Sequence, residues 1–242
     1  MTIDLNDKNI VNEIISEYNL KIYQDDRFFK YGQDSVQLTR FMYLCEGIDN
    51  KENLKYIDLC SGTGIVGLIA QRIFNFNKVH FLEKQEYFAK LNELNAKINL
   101  DLPSKFSILN LDINKLDKRK LKELELFGTF DIISVNPPYK KNNSGIDSVN
   151  EEKTIAKKEE ENFLEKLFEV SSNLLKDKGR LYMVHRFNRI QDLLYECRKY
   201  NLEAKTIKVL TNSNYMPKLV LIQFIKNAGE FLKVLKSEKL GN

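Results

Sequence analysis

The sequence predicts an α/β fold in which a mostly parallel, seven-stranded sheet carries helices on both faces and ends in an antiparallel edge strand. Three observations lead there. From residue 55 onward, short β-type runs alternate with longer helical patterns, the arrangement that crossover βα units produce. A glycine turn, with Gly62, Gly64 and Gly67, follows the first of these runs and opens a helix. The last two runs are joined only by the turn residues Thr211-Asn-Ser-Asn214, too short a connection for parallel neighbours.

Taken in order, the strands are expected at 55–59, 78–83, 106–109, 131–135, 180–185, 204–210 and 219–225, with helices at 66–74, 85–98, 151–176 and 189–200. The segments 115–125 and 151–161 place opposite charges at helical spacing and read as solvated helix faces. The polar stretch 140–150, after a double proline, reads as a long loop. At 242 residues and 43% hydrophobic content, the chain suits a single domain with one sizeable core. Residues 51–242 would form that core and residues 1–50 an extension or lid packed on it.

Composition narrows the setting. No run approaches the ~18 apolar residues of a membrane span, and the densest apolar cluster, at 219–225, is interrupted by Gln223. The first eight residues lack the basic flank and apolar stretch of a secretory signal. Cys45, Cys60 and Cys197 are too far apart for metal-ligand spacing, so they are expected as reduced, buried thiols in a cytoplasm, with no metal. The net charge of +4 is uneven: residues 171–242 hold 14 Lys and Arg against 6 Asp and Glu, whereas residues 1–170 hold 24 against 28. A basic C-terminal part suits a polyanionic partner on one side of the fold, although lysine-rich surfaces are common without one.

The segment Tyr56-Ile-Asp-Leu-Cys-Ser-Gly-Thr-Gly-Ile-Val-Gly67 formally satisfies the dinucleotide fingerprint, so a nicotinamide or flavin enzyme is a genuine competitor. Asp58 argues against it. A carboxylate at the end of that strand would repel a pyrophosphate and suit a nucleoside cofactor bearing an ammonium group and no phosphate, such as S-adenosylmethionine. Glu83 ends the second strand, 21 residues after Gly62, where a carboxylate can accept both ribose hydroxyls of either cofactor class. Asp112 is placed either to meet an adenine amino group or to cap the short helix that follows it.

Asn136-Pro-Pro-Tyr139 follows the fourth strand. A nitrogen conjugated with a ring or carbonyl is a poor nucleophile. Two acceptors, one for each N–H, hold it closer to tetrahedral and stabilise the charge that develops on attack. The Asn136 side-chain oxygen and the Pro137 backbone carbonyl would be that pair, with the prolines fixing the carbonyl's direction. Tyr139 would stack on a flat substrate. No strong general base is required, and neither His80 nor His185 is obviously placed to serve as one.

With these residues in view, the chain resembles the class I S-adenosylmethionine-dependent amino-methyltransferases, whose Rossmann-like fold matches the predicted one. Phe28-Phe-Lys-Tyr-Gly-Gln-Asp-Ser35 and Ile155-Ala-Lys-Lys-Glu159 are similar in particular to the bacterial tRNA (adenine-N6) methyltransferase family acting on a valine tRNA beside the anticodon. The resemblance implies a cofactor held by Tyr31, Gly32 and Gln33 from a lid, by Asp58, Cys60, Ser61, Gly62, Thr63 and Gly64 from the glycine loop, and by Glu83, Lys84, Asp112, Ile113 and Asn136. It implies catalysis by Asn136, Pro137 and Tyr139. The tRNA would be met by Pro138, Tyr139, Lys140, Lys157, Arg186 and Arg189. With Gly32 and Gln33, Asp34 reads equally as part of that lid, over the methionine end of the cofactor, and as a helix N-cap.

The chain departs from the family at Lys157-Lys158, where an Arg-His pair is usual, and at Asn212-Ser-Asn-Tyr-Met-Pro217, a variable loop; either region could touch RNA. Arg180, Arg198, Lys199, Lys205 and Lys208 are further candidates for backbone phosphate contacts. A glutamine-amide protein methyltransferase is the main alternative, disfavoured by the short segment before the first strand. Methylation of adenine in another RNA or in DNA is a second alternative, and a non-catalytic binding protein a third. A monomer is expected.

Overall fold

The computed structural model describes residues 3–28, 30–47, 51–100, 102–138 and 150–241, with the side chains of 150–161 outside the description. The chain opens with an antiparallel hairpin, β1 (Ile10–Ile15) and β2 (Leu20–Asp25), followed by α1 (Gln33–Glu46). Then come β3 (Tyr56–Leu59), α2 (Ile65–Phe74), β4 (Val79–Glu83), α3 (Glu86–Asn99), β5 (Phe106–Asn110), α4 (Lys118–Glu123) and β6 (Phe130–Val135). The rest is α5 (Asn150–Leu174), β7 (Leu175–Arg186), α6 (Ile190–Lys199), β8 (Leu202–Thr211), β9 (Pro217–Lys226) and β10 (Lys233–Lys239).

The main sheet has the order β10-β8-β9-β7-β6-β3-β4-β5. Its strands run parallel except β9, which is antiparallel to both β7 and β8. All seven expected strands are present. The antiparallel strand lies next to the outer pair instead of forming the free edge, and β10 adds an eighth. Lys233-Val-Leu-Lys-Ser-Glu-Lys239 hides that strand from sequence reading, since it is mostly exposed and charge-rich, which blunts an edge against further pairing.

Strand side chains alternate between two apolar layers. Ile57, Leu59, Ile133, Val135, Leu181 and Met183 pack on one face with residues of α4, α5 and α6. Tyr56, Phe81, Ile132, Tyr182 and Val184 pack on the other with residues of α1 and α2 and with Ala96 of α3. The N-terminal hairpin joins the second layer through Leu20 and Ile22.

Two asparagines on α3 fasten that hairpin down, and a third reaches the glycine loop. Asn95 accepts from the Tyr23 backbone N–H at 2.8 Å and donates to its carbonyl at 3.0 Å. Asn99 does the same for Lys21 at 2.9 and 2.7 Å. An amide side chain presents the same donor and acceptor as a peptide group, so the two asparagines stand in for a neighbouring strand. Asn95 also donates to the Thr63 carbonyl, and Asn92 to the Ser61 hydroxyl, both at 2.9 Å. One helix face thereby ties the hairpin to the glycine loop.

From β3 the chain winds outward through β4 and β5, then returns to β6 on β3's other side. The crevice of an open α/β sheet lies at such a reversal, beyond the carboxyl ends of the strands. Leu59 and Val135 are registered partners, so the glycine loop and Asn136 leave adjacent strands side by side.

Candidate active site

A cleft of about 570 Å³ occupies that crevice. Asp58 lies at its base, almost wholly buried. Its Oδ2 accepts the Gly67 backbone N–H at 3.1 Å and its Oδ1 accepts the Ser134 hydroxyl at 2.5 Å, with the Tyr56 hydroxyl 2.6 Å from the same serine oxygen. Gly67 is the third residue of α2. The carboxyl of Asp58 therefore already occupies the positive helix terminus that a dinucleotide enzyme offers to pyrophosphate. Burial pushes the Asp58 carboxyl up to about 7.

The glycines have separate tasks. Gly64 has φ +86, and a Cβ there would come within 2.4 Å of Asn92 Oδ1. A Cβ on Gly67 would come within 2.3 Å of the Phe81 ring, so this glycine lets α2 seat against the sheet. Gly62 faces open space and lines the cleft. Of the three, only Gly62 lines the cleft; Gly64 and Gly67 serve turn and packing.

Glu83 shapes the adjoining wall. Its two oxygens accept the backbone N–H groups of Gly62 and Gln85, each at 2.9 Å. Asp112 takes the capping role the sequence allowed and also lines the cleft. It caps the short 3₁₀ turn Ile113–Lys115 through the Asn114 N–H at 3.0 Å, and it lines the cleft with Lys84 3.1 Å away. The ionisable groups among the described lining residues are Asp34, Asp58, Glu83 and Asp112, the thiol of Cys60, the phenol of Tyr31 and the single cation Lys84. Such a lining repels phosphate and attracts a positively charged ligand.

Asn136 enters from β6. Its amide nitrogen donates to the Ser35 hydroxyl at 3.1 Å, and the carbonyl Oδ1 is the side chain's acceptor. Pro137 is buried and Pro138 exposed, and both line the cleft. His80 stacks edge-on against Phe130, His185 is buried on β7, and neither lines the cleft. Burial pushes both imidazoles down to about 4, so both are neutral near pH 7.

The structure brings together Tyr31, Asp58, Cys60, Ser61, Gly62, Thr63, Glu83, Lys84, Asp112, Ile113, Asn136, Pro137 and Pro138. Gly32, Gln33 and Gly64 stand outside the lining. The N-cap of α1 is Gly32, so Asp34 falls in the first turn, where its Oδ1 accepts the Ser35 N–H at 2.9 Å. Tyr139 and Lys140 lie outside the described residues, and Lys157 sits in α5 where side chains are not described. Arg186 ends β7 without lining the cleft, and Arg189 is bonded to Asp192 at 2.5 Å.

The other basic candidates do not share this face. Arg180 stands at the opposite end of β7, 2.6 Å from Glu46. Arg198 and Lys199 end α6 and Lys205 lies in the first half of β8, also away from the cleft, while Lys208 is paired with Glu238. Sequence reading missed Ser35, Ile65, Val66, Leu82, Gln85, Phe88, Leu111, Asn114 and Phe163 as lining residues. Ser35 alone had a signal, as the last residue of the Tyr31–Ser35 motif. Among the described residues, no group of three His, Cys, Asp or Glu could hold a metal, and no helix is long and apolar enough to cross a membrane.

Known proteins agree with this architecture. A tRNA1(Val) (adenine(37)-N6)-methyltransferase, found in two strains of Porphyromonas gingivalis, is 30% identical over 169 residues. The match takes in 69% of this chain, and the chain spans 64% of the length of those curated relatives. The structure of M. jannaschii TYW2 in complex with AdoMet superimposes with TM-score 0.58 at 18% identity, over 93% of this chain and 90% of that one. A ribosomal protein L11 methylase from Lactobacillus delbrueckii subsp. bulgaricus gives 0.59 at 12% identity, covering 84% of each chain. These structural likenesses establish the Rossmann-like class I methyltransferase fold. The family model described as conserved hypothetical protein 95 matches residues 25–186, from the end of β2 through β7, and the chain belongs to that family.

Proposed function

We propose that the chain transfers a methyl group from S-adenosylmethionine to the exocyclic N6 amino group of an adenine in tRNA, beside the anticodon. The observation that carries this reading is Asn136, held by Ser35 and lining the same acidic cleft as Gly62 and Glu83.

The residues fit the cofactor. Asp58 closes the helix terminus that a pyrophosphate would need, and the acidic lining favours a ligand bearing sulfonium and ammonium charges. Glu83 is placed for the ribose hydroxyls and Asp112 for the adenine amino group, with Ile113 and Phe88 beside them. When bound, S-adenosylmethionine supplies an electrophilic methyl group. The protein's own work is to hold the acceptor nitrogen. Asn136 Oδ1 and the Pro137 carbonyl each accept one N–H, which draws the lone pair out of conjugation and stabilises the positive charge as it forms. The neutral histidines outside the cleft agree with a reaction that needs no strong base.

The named activity of the Porphyromonas gingivalis relative supports tRNA as substrate and position 37 as target. We place the protein in the cytoplasm, acting as a single-domain monomer. The test is transfer of labelled methyl from S-adenosylmethionine to tRNA from a strain lacking this gene, followed by nucleoside analysis. N6-methyladenosine is expected; label on protein glutamine, or none on tRNA, rejects the reading.

A further inference from the structure

We propose that the β8–β9 hairpin tip is a second RNA-docking element, on which a base flanking the target adenine stacks against Tyr215 while Lys218 and Lys239 meet the phosphates. The proposal rests on the tRNA reading above and deepens it.

Position comes first. Because β9 runs against its neighbours, the turn joining β8 to it lies at the same sheet end as the glycine loop and Asn136. Val135 pairs with Met183 and Arg186 with Leu219, so the tip extends past the level of Asn136. It stands two strands to the side, about 10 Å at the usual strand spacing. This raised rim suits a strand whose target base is in the cleft.

The tip is also built to hold a shape. Asn212 Oδ1 accepts the N–H groups of Asn214 and Met216 at 3.0 and 2.9 Å. Asn212 N–H donates to the Met216 carbonyl at 2.9 Å, and Tyr215 N–H to the Asn212 carbonyl at 3.0 Å. Tyr215 itself has φ +61, a conformation in which glycine or asparagine would be less strained. A rigid turn that spends backbone strain on an aromatic ring, and then leaves the ring 74% exposed beside an exposed Met216, gains nothing for the core.

Charge selects the partner. Lys239 Nζ is 4.7 Å from the Tyr215 ring centroid, Lys218 is exposed as the second residue of β9, and no acidic residue occurs from Asn212 to Lys218. An exposed aromatic ring with a lysine beside it is how proteins hold single-stranded nucleic acid, by stacking and phosphate contact.

The experiment compares the whole protein with its Tyr215→Ala, Tyr215→Gly and Tyr215→Phe variants, measuring kcat and KM for unmodified tRNA, cofactor affinity and thermal midpoint. The alanine and glycine variants should raise KM for tRNA about ten-fold, the scale of one lost stacking contact. Their kcat at saturating tRNA and their cofactor affinity should stay unchanged, and Tyr215→Phe should behave as wild type. Equal KM across all variants overturns the docking role, as does a loss confined to kcat or cofactor affinity, or a normal Tyr215→Gly variant. Wild-type protein that methylates no tRNA refutes the underlying reading instead, so the two failures are told apart.

Discussion

The Ser35 hydroxyl lies 3.1 Å from the Asn136 amide nitrogen, joining residues 101 positions apart. Ser35 is buried in the first turn of α1, and Asn136 is the first residue after β6. The contact anchors the amide with its nitrogen toward α1. With the nitrogen bonded to the hydroxyl, the oxygen is the acceptor that the proposed reaction would use.

Ser35→Ala should therefore lower methyl transfer while leaving cofactor affinity within about two-fold of wild type. Misplacing a positioned group by an ångström costs up to about 10²-fold in rate, so a ten-fold or greater fall in kcat is expected. Ser35→Thr, which keeps the hydroxyl, should recover most of it. Steady-state kinetics with tRNA alongside cofactor titration checks this.

Asp58 gives a pH signature. Its carboxyl is raised from the ordinary 3.8 to about 7, first by burial. A raised acid holds its proton in the folded state after the unfolded chain has released it. The stability this provides is complete below pH 3.8 and is lost as pH rises to about 7. Asp58→Asn should remove that part of the decline in the ligand-free protein, seen as a flatter plot of denaturation midpoint between pH 4 and 7. Cofactor binding runs the other way, because the ammonium group favours the ionised carboxyl. Affinity should strengthen from pH 6 to 7.5 in the wild type and much less in Asp58→Asn, by calorimetric titration.

Asn95 serves both the hairpin and the glycine loop. Asn95→Ala strips the Tyr23 N–H and carbonyl and the Thr63 carbonyl of their partner. Each buried polar group left unsatisfied costs about 1–3 kcal/mol, so a loss of several kcal/mol is expected in chemical denaturation. Weaker cofactor binding should accompany it, since the loop loses a tether. An unchanged denaturation midpoint would contradict the strand-substitute role of α3.

Most of the sheet and the cleft was legible because periodicity and punctuation agreed. The seven core strands are apolar runs bounded by turns, and Asp58, Glu83, Asp112 and Asn136 each stand at the end of one. Other features lay beyond reach because they depend on long-range contacts. The β1–β2 hairpin is half exposed, and its free edge is satisfied by asparagine side chains more than 70 residues away. Gly64 looked like a ligand-facing glycine, yet its neighbour is Asn92. Basic residues counted along the C-terminal part were sorted only by topology, which sends Arg180, Arg198, Lys199 and Lys205 to the far end of the sheet and Tyr215 with Lys239 to the near one.

In the proposed reaction, Asn136 is an acceptor for the reacting nitrogen. The most direct test measures S-adenosylmethionine affinity and N6-methyladenosine formation on the same Asn136→Ala preparation. Affinity within a few-fold of wild type, with turnover reduced on the order of 10²–10³-fold at saturating substrates, is the predicted result. Turnover preserved at saturation with cofactor affinity lost would contradict it.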